Sequence, residues 1–251
     1  DASGINMYGH RLISLVVSAF FAGVAGALFG HSLGGIVGTT FLAQTGDIDA
    51  ASLAKAGGGI AKLLDTSAGF GPRITAGLGA EGVSEGTSDF ESFLYFAHAA
   101  VDVADPLNQA SKVTAPIHAI QIEGGGNATS TGPAVVTISV PSDLVVPRDA
   151  FNPVANIEVT PEPGLGGTVP LNTALNLTEE KRNADTCNFR PANAPVVVQF
   201  DTGTHSTVAL AEDTISGLNF DFSAEQTEML NQIASFFGGV ALGGPAVVPI
   251  R

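Results

Sequence analysis

An α/β fold, a mostly parallel sheet with helices on both faces, is what this sequence predicts, and three observations predict it. Apolar, β-branched runs at Ile117–Ile122, at residues 135–140 and at Val196–Phe200 have the density of half-buried or fully buried strands. Stretches of helical period lie around and between them, and strands alternating with helices imply a parallel sheet covered on both sides. The 31 glycines and 14 prolines in 251 residues supply the turns that such connections need.

The elements follow in order. Residues 12–30 form a run of nineteen with no charge. By length it is a membrane-span candidate, and Arg11 ahead of it has the look of a signal peptide. It is read instead as a buried helix over 10–21 and a short buried strand over 24–29, because it leads straight into a motif that belongs in a packed core. After Phe29 comes Gly30-His-Ser-Leu-Gly-Gly35, then IVGTTFLAQ with helical spacing. Three glycines, 57–59, open the short amphipathic piece IAKLLD. Residues 67–89 are Gly-rich and read as irregular. Residues 90–103 are aromatic with a helical period that gathers Phe90, Phe93, Leu94, Phe96 and Ala97 on one side, and Asp105-Pro106 ends them.

Ile117–Ile122 is a strand, followed by a Gly/Asn/Thr/Ser insertion over 124–132. Residues 135–140 form a second strand running into Pro141-Ser-Asp143, and 147–170 are rich in Pro and Gly. Val196–Phe200 is the last clear strand and leads into Asp-Thr-Gly-Thr-His205. A closing helix over 223–237 starts with a Ser223/Gln226 capping box and shows an apolar face of Ala224, Met229, Ile233, Phe236 and Phe237. The whole is expected to be one domain over 1–251, with 57–106 as a cap insertion.

Composition narrows the function. Ten Lys plus Arg against 24 Asp plus Glu give a net charge of −14, and no basic stripe is present. Such a surface repels phosphate backbones, which argues against nucleic-acid binding. Cys187 is the single cysteine, so no internal disulfide can form. No His/Cys/Asp cluster has metal-ligand spacing, so neither a metal nor a cofactor is expected.

The motif that carries chemistry is Gly30-His31-Ser32-Leu33-Gly34, set between an apolar strand and a helix. A serine on a sharp strand-to-helix turn exposes its hydroxyl, and the tight turn requires residues without side chains two positions before and after it. The N–H of Leu33, at the helix N-terminus, is then placed to donate to a developing oxyanion. The same pattern recurs at Gly82-Val-Ser84-Glu-Gly86, but no strand precedes it, and Glu85 would set a carboxylate beside the oxyanion; it reads as loop.

A serine nucleophile needs a base, and the base needs a carboxylate. On an α/β-hydrolase-like sheet these follow in the order Ser, acid, His. Among the five histidines, His10 precedes the motif, His31 points away from its neighbour Ser32, His98 lies on the aromatic helix and His118 lies within a strand. His205, in a loop after the last strand, is the candidate base. Asp143, after the strand over 135–140, is the candidate acid, with Glu123 and Asp149 as competitors.

At these residues the sequence resembles the Pla-1/cef family of bacterial extracellular lipases. The likeness is carried by the blocks beginning at Phe29 (FGHSLGGIVGT), Gly57 (GGGIAKLLD), Phe70 (FGPRI), Asp102 (DVADPLN), Asp143 (DLVVP), Gly203 (GTHST) and Gln232 (QIASFF), and it covers most of the chain from 29 to 237. The resemblance implies a secreted or cell-surface lipase, esterase or lysophospholipase, with Ser32 as nucleophile, Asp143 as acid and His205 as base. Relatives in that family carry a long part before the nucleophile motif, with the loop that donates the second oxyanion N–H; here 31 residues precede Ser32. Either the chain is a fragment of a longer protein or it is a pared-down hydrolase with a reorganised oxyanion hole; the second donor is then unassigned, and an edge strand is expected to be free to pair with another copy.

The expectation is therefore a carboxylic-ester hydrolase acting on apolar acyl esters, lipid or polymeric. Phe70, Phe90, Phe93 and Phe96, with Tyr95, would line an apolar groove in the cap. The alternatives are another serine acyl hydrolase, such as a thioesterase or polyester depolymerase, and a catalytically silent fold that binds apolar ligands. No stable membrane span is expected.

Overall fold

A computed structural model describes residues 27–133, 135–149, 166–181, 188–191, 195–242 and 247–250. The helix expected over 10–21, His10, Cys187 and most of the Pro/Gly-rich stretch lie outside them.

In chain order the strands are β1 (Ala27–His31), β2 (Ala50–Ala54), β3 (Ile117–Ile122), β4 (Asn127–Thr129), β5 (Thr137–Ser139), β6 (Thr178–Lys181), β7 (Asn188–Pro191), β8 (Val196–Phe200), β9 (Glu212–Ile215), β10 (Leu218–Asp221) and β11 (Val247–Ile250). The α-helices are α1 (Leu33–Leu42), α2 (Ile60–Thr66), α3 (Gly71–Ala80), α4 (Ser88–Val101), α5 (Pro106–Gln109), α6 (Thr168–Ala174) and α7 (Ser223–Ala241). Five strands make a central sheet in the order β1-β2-β3-β8-β6, and every pairing in it is parallel. The pairs β4–β5, β9–β10 and β7–β11 are antiparallel two-stranded ribbons outside that sheet.

The alternation of side chains across the pleat explains why helices cover both faces. Ala50, Ala54, Ile120, Ile122, Val196, Val198 and Phe200 point one way and pack on Met229 and Phe236 of α7. Ala51, Leu53, Ile117, Ala119 and Val197 point the other way, against Leu42 of α1 and Leu171 of α6. With both faces covered, β2, β3 and β8 are buried along their whole lengths, as all-parallel strands are. Each large side chain in this double core contributes on the order of 2 kcal/mol by leaving water. Among the described residues no helix is long and apolar enough to cross a membrane.

The structure corrects several expectations. Residues 24–26 of the strand expected at 24–29 lie outside the described residues, and its described part runs on past 29, from Ala27 to His31. β2, sequence AASLA, is a central strand; its alanines suit the close approach of helices and give no β-branched signal. The stretch 67–89, expected to be irregular, contains α3, which starts with Pro in its first turn, where the missing N–H costs nothing. The closing helix has Phe222 at its N-cap and no side-chain cap bond, so the Ser223/Gln226 capping box does not form. The strand expected over 135–140 shortens to β5, which pairs with β4 rather than joining the central sheet.

Candidate active site

All strands of the central sheet are parallel, so their carboxyl ends lie along one edge, the place where α/β sheets collect functional side chains. Ser32 follows β1, Lys55 follows β2, and His205 lies five residues past the end of β8.

Ser32 takes a backbone conformation that an L-residue rarely adopts, φ 53° and ψ −119°. Its N–H donates to Ala54 O at 2.9 Å, and its carbonyl accepts from Gly35 and Ile36 as α1 begins. The turn is tight: a Cβ on Gly30 would stand 2.6 Å from the Gly34 carbonyl oxygen. A Cβ on Gly34 would meet nothing within 4 Å, whereas one on Gly35 would stand 2.6 Å from Ala56 Cβ. The steric demand after the serine therefore falls on Gly35, not on Gly34 as the spacing argument expects. The N–H of Leu33 has no protein acceptor among the described residues and starts the helix, where the partial positive charge gathers.

Asp143 reaches the edge by a detour. The chain leaves β3, passes Gly124 at φ +77°, makes the β4–β5 ribbon and returns so closely that a Cβ on Gly124 would stand 2.4 Å from Ser142 N. This return delivers Asp143 to the carboxyl end of β3 although the strand before it belongs to another ribbon. The carboxylate is 5% exposed, and its Oδ1 accepts from Val145 N (2.8 Å) and Val146 N (3.0 Å). His205 Nδ1 lies 2.7 Å from Asp143 Oδ2 and 3.0 Å from Oδ1. Since a carboxylate only accepts, Nδ1 carries the proton and Nε2 keeps its lone pair. A base needs that tautomer.

The loop that holds His205 is tied down by short bonds. Thr204 N donates to Thr207 Oγ1 at 2.7 Å, and Thr204 Oγ1 donates to Asp213 of β9. The His205 carbonyl accepts from His31 Nε2 at 2.8 Å and from Lys55 Nζ at 3.1 Å. The imidazoles of His31 and His205 lie with centroids 5.0 Å apart. His31 thus faces His205. Burial of His31 lowers its pKa below the usual value, with Lys55 adding to the effect. Among the described residues His205 is paired with Asp143, and neither Ser32 Oγ nor His205 Nε2 makes a hydrogen bond; His31, the residue before Ser32, bonds the His205 carbonyl.

The competing acids are occupied elsewhere. Glu123 Oε1 accepts from Arg148 Nη1 at 2.6 Å, and Asp149 lies 3.5 Å from Arg148 Nε. His98 sits 3.8 Å from Asp102 on the solvent side, and Ser84 lies in a turn between Gly82 and Gly86, both at positive φ. Lys55 and the engaged His31 are what reading the sequence missed. The signal for Lys55 was present: it is the only charge in residues 50–61.

In the cap region Phe90 is 1% exposed and Leu94 is buried beside it, so Phe90 anchors α4 and does not line a groove. Phe70, Phe93, Tyr95 and Phe96 are exposed. A cavity of about 140 Å3 opens beside His205, lined by Leu144, Val145, Thr204 and Ile215 among others. A slightly larger one, about 170 Å3, lies at the opposite, amino end of the strands, against Val113, Pro116 and Leu175, and no ionisable side chain lines it. Among the described residues no group of three His, Cys, Asp or Glu side chains is placed to hold a metal.

Compared with family models, curated proteins and solved structures, the chain has no match in any of the three.

Proposed function

We propose that this protein is a serine carboxylic-ester hydrolase of the α/β-hydrolase type, similar to the Pla-1/cef lipases. One observation carries the reading. Along one edge of a parallel sheet, a serine in a strained strand-to-helix turn directly follows His31, which bonds the backbone of His205, and His205 Nδ1 is bonded to a buried carboxylate. The sheet order follows the chain order for β1, β2, β3 and β8, and the edge collects nucleophile, acid and base in the order Ser, Asp, His.

In the reaction His205 Nε2 takes the Ser32 Oγ proton as Oγ attacks the ester carbonyl. The oxyanion accepts from Leu33 N–H. As the tetrahedral species collapses, the same proton passes to the leaving alcohol, and an acyl-enzyme remains. Water, deprotonated by His205, then attacks the acyl carbonyl, and as this second tetrahedral species collapses His205 returns the proton to the departing Ser32 Oγ and the acid is freed. Asp143 holds the tautomer and offsets the imidazolium charge. The hydrogen bond from Ser32 Oγ to His205 Nε2 would form in the Michaelis complex, as catalytic hydrogen bonds often do. Exposed aromatic residues of the cap and the small apolar cavity beside His205 favour an acyl group over a charged substrate.

The test is a panel of p-nitrophenyl esters from short to long acyl chains, with Ser32→Ala as control. Hydrolysis by the wild type, lost in Ser32→Ala, is the expected result. Equal rates for the two proteins across the panel would refute the assignment.

A further inference from the structure

We propose that Lys55 and His31 are positioning residues that together clamp the carbonyl of His205 and so hold its imidazole in line with Asp143 and Ser32. The inference rests on the hydrolase reading of the site and adds to it a support that the triad alone does not contain.

Lys55 has no exposed surface and is among the largest fully buried side chains. An ammonium in such a place is costly unless it is used. Its backbone is at φ +55°, an unfavourable region for lysine, and its N–H donates to Ile120 O at 2.7 Å. The chain thus bends sharply where β2 ends, as it does at Ser32 where β1 ends, and both bends send a side chain toward the same edge. Among the described residues Lys55 makes no ion pair, and the hydrogen bond of its Nζ goes to the His205 carbonyl. The second bond to that carbonyl comes from His31, whose Nε2 must carry the proton because a carbonyl only accepts.

Two donors on one oxygen fix the peptide plane of His205. When the imidazole gains a proton during acyl transfer, Asp143 pulls on Nδ1, and a loop held only by side-chain contacts could follow. The clamp opposes that movement from the backbone side. The groups that face Lys55 are Asp143 from the return after β5, Asp213 from β9, and His31 and His205 from the ends of β1 and β8. Desolvation lowers the Lys55 pKa to about 8, and Asp143 and Asp213 oppose that fall. The clamp therefore weakens as pH rises through that range, because a neutral amine is the poorer donor.

The experiment measures the rate of labelling by a fluorophosphonate probe, together with the downfield proton resonance of His205 Nδ1–H. Lys55→Met keeps the volume of the side chain and removes the donor. Its maximal labelling rate at pH 7 is expected to fall roughly tenfold to a hundredfold with half-saturation by the probe nearly unchanged. Its alkaline decline above about pH 8 is expected to vanish, and the Nδ1–H resonance to shift or broaden. His31→Phe should show the same loss, and His31→Gln, which keeps an N–H, should recover most of it. A folded Lys55→Met that labels at the wild-type rate with an unmoved resonance would overturn the proposal. Should Lys55→Met fail to fold, equal rates for wild type and His31→Phe would do the same. A wild type that is not labelled at all would remove the hydrolase reading, while the resonance would still test the clamp.

Discussion

Two Ser–His sites coexist on this sheet and have opposite fates. At the edge, Ser32 makes no hydrogen bond to His205, and His205 is bonded to Asp143. In the interior, Ser52 Oγ lies 3.0 Å from His118 Nδ1, and His118 Nε2 lies 3.3 Å from Gln232 Oε1, with Glu228 Oε1 accepting from Gln232 Nε2 at 3.0 Å. The second set has the closer Ser–His contact, yet both members are fully buried. It pins α7 to β2 and β3 and has no access for a substrate. The difference teaches that contact between serine and histidine is the wrong criterion. Access, a carboxylate on the far nitrogen and a strained turn under the hydroxyl are what the proposed site has and the buried one lacks.

Four predictions bear on that contrast. The largest concerns the two serines: Ser32→Ala should lower ester hydrolysis by about 10⁴-fold or more, whereas Ser52→Ala should leave the rate within a small factor and lower the melting temperature. Comparable loss of activity in both variants would erase the distinction. Next, Asp143→Asn should reduce kcat on the order of 10⁴-fold, because an amide no longer holds Nδ1 protonated. A kinetic assay on the folded variant decides this.

Third, Gly30→Ala should destabilise the fold by about 3 kcal/mol, because its Cβ meets backbone rather than a movable side chain. Gly34→Ala should be tolerated within about 0.5 kcal/mol. Urea midpoints for the pair check whether the turn is as asymmetric as its geometry.

The fourth concerns protons. Burial lowers the pKa of His118 to about 4, with the bond to Gln232 opposing it, against 6.5 for the free side chain. Between those values the unfolded chain binds a proton that the folded one refuses, so stability rises with pH through this window. It is complete above 6.5 and falls by about 2 kcal/mol between pH 7 and pH 5. His118→Asn should flatten the dependence of the urea midpoint over this range. Unaltered steepness in that variant would assign the acid sensitivity to other groups.

Much of the fold could be read from the sequence where side chains are distinctive. β3 and β8 are rich in Ile and Val, and both strands stand where the pattern puts them. β2 escaped because alanine in a strand announces nothing, although the same smallness lets α1 and α7 approach. Ser32 was legible through its glycines, although the reason differed: Gly30 and Gly35 are crowded and Gly34 is not. Asp143 and His205 were legible from chain order. Position after a strand was the wrong argument for Asp143, since β5 lies outside the sheet. Lys55 was marked only by being the one charge in residues 50–61, and neither it nor His31 could be tied to its partner, a backbone carbonyl 150 or more residues away, which leaves no trace in local spacing.

The β4–β5 and β9–β10 ribbons share a small core of Val140, Ile215, Phe220 and Phe222, with Ala128, Ile138 and Leu218 against it. Three residues beyond Val140 lies Asp143, and two residues before Ile215 lies Asp213, which holds Thr204 next to His205. Asp143 and the bond on Thr204 therefore hang from a satellite cluster, while the His205 carbonyl is held from the ends of β1 and β2. Such a minor unit opens at lower free energy than the sheet beneath it. On gentle warming the proposed ester hydrolysis is then expected to be lost while the circular dichroism is still that of the intact protein, and to return on cooling.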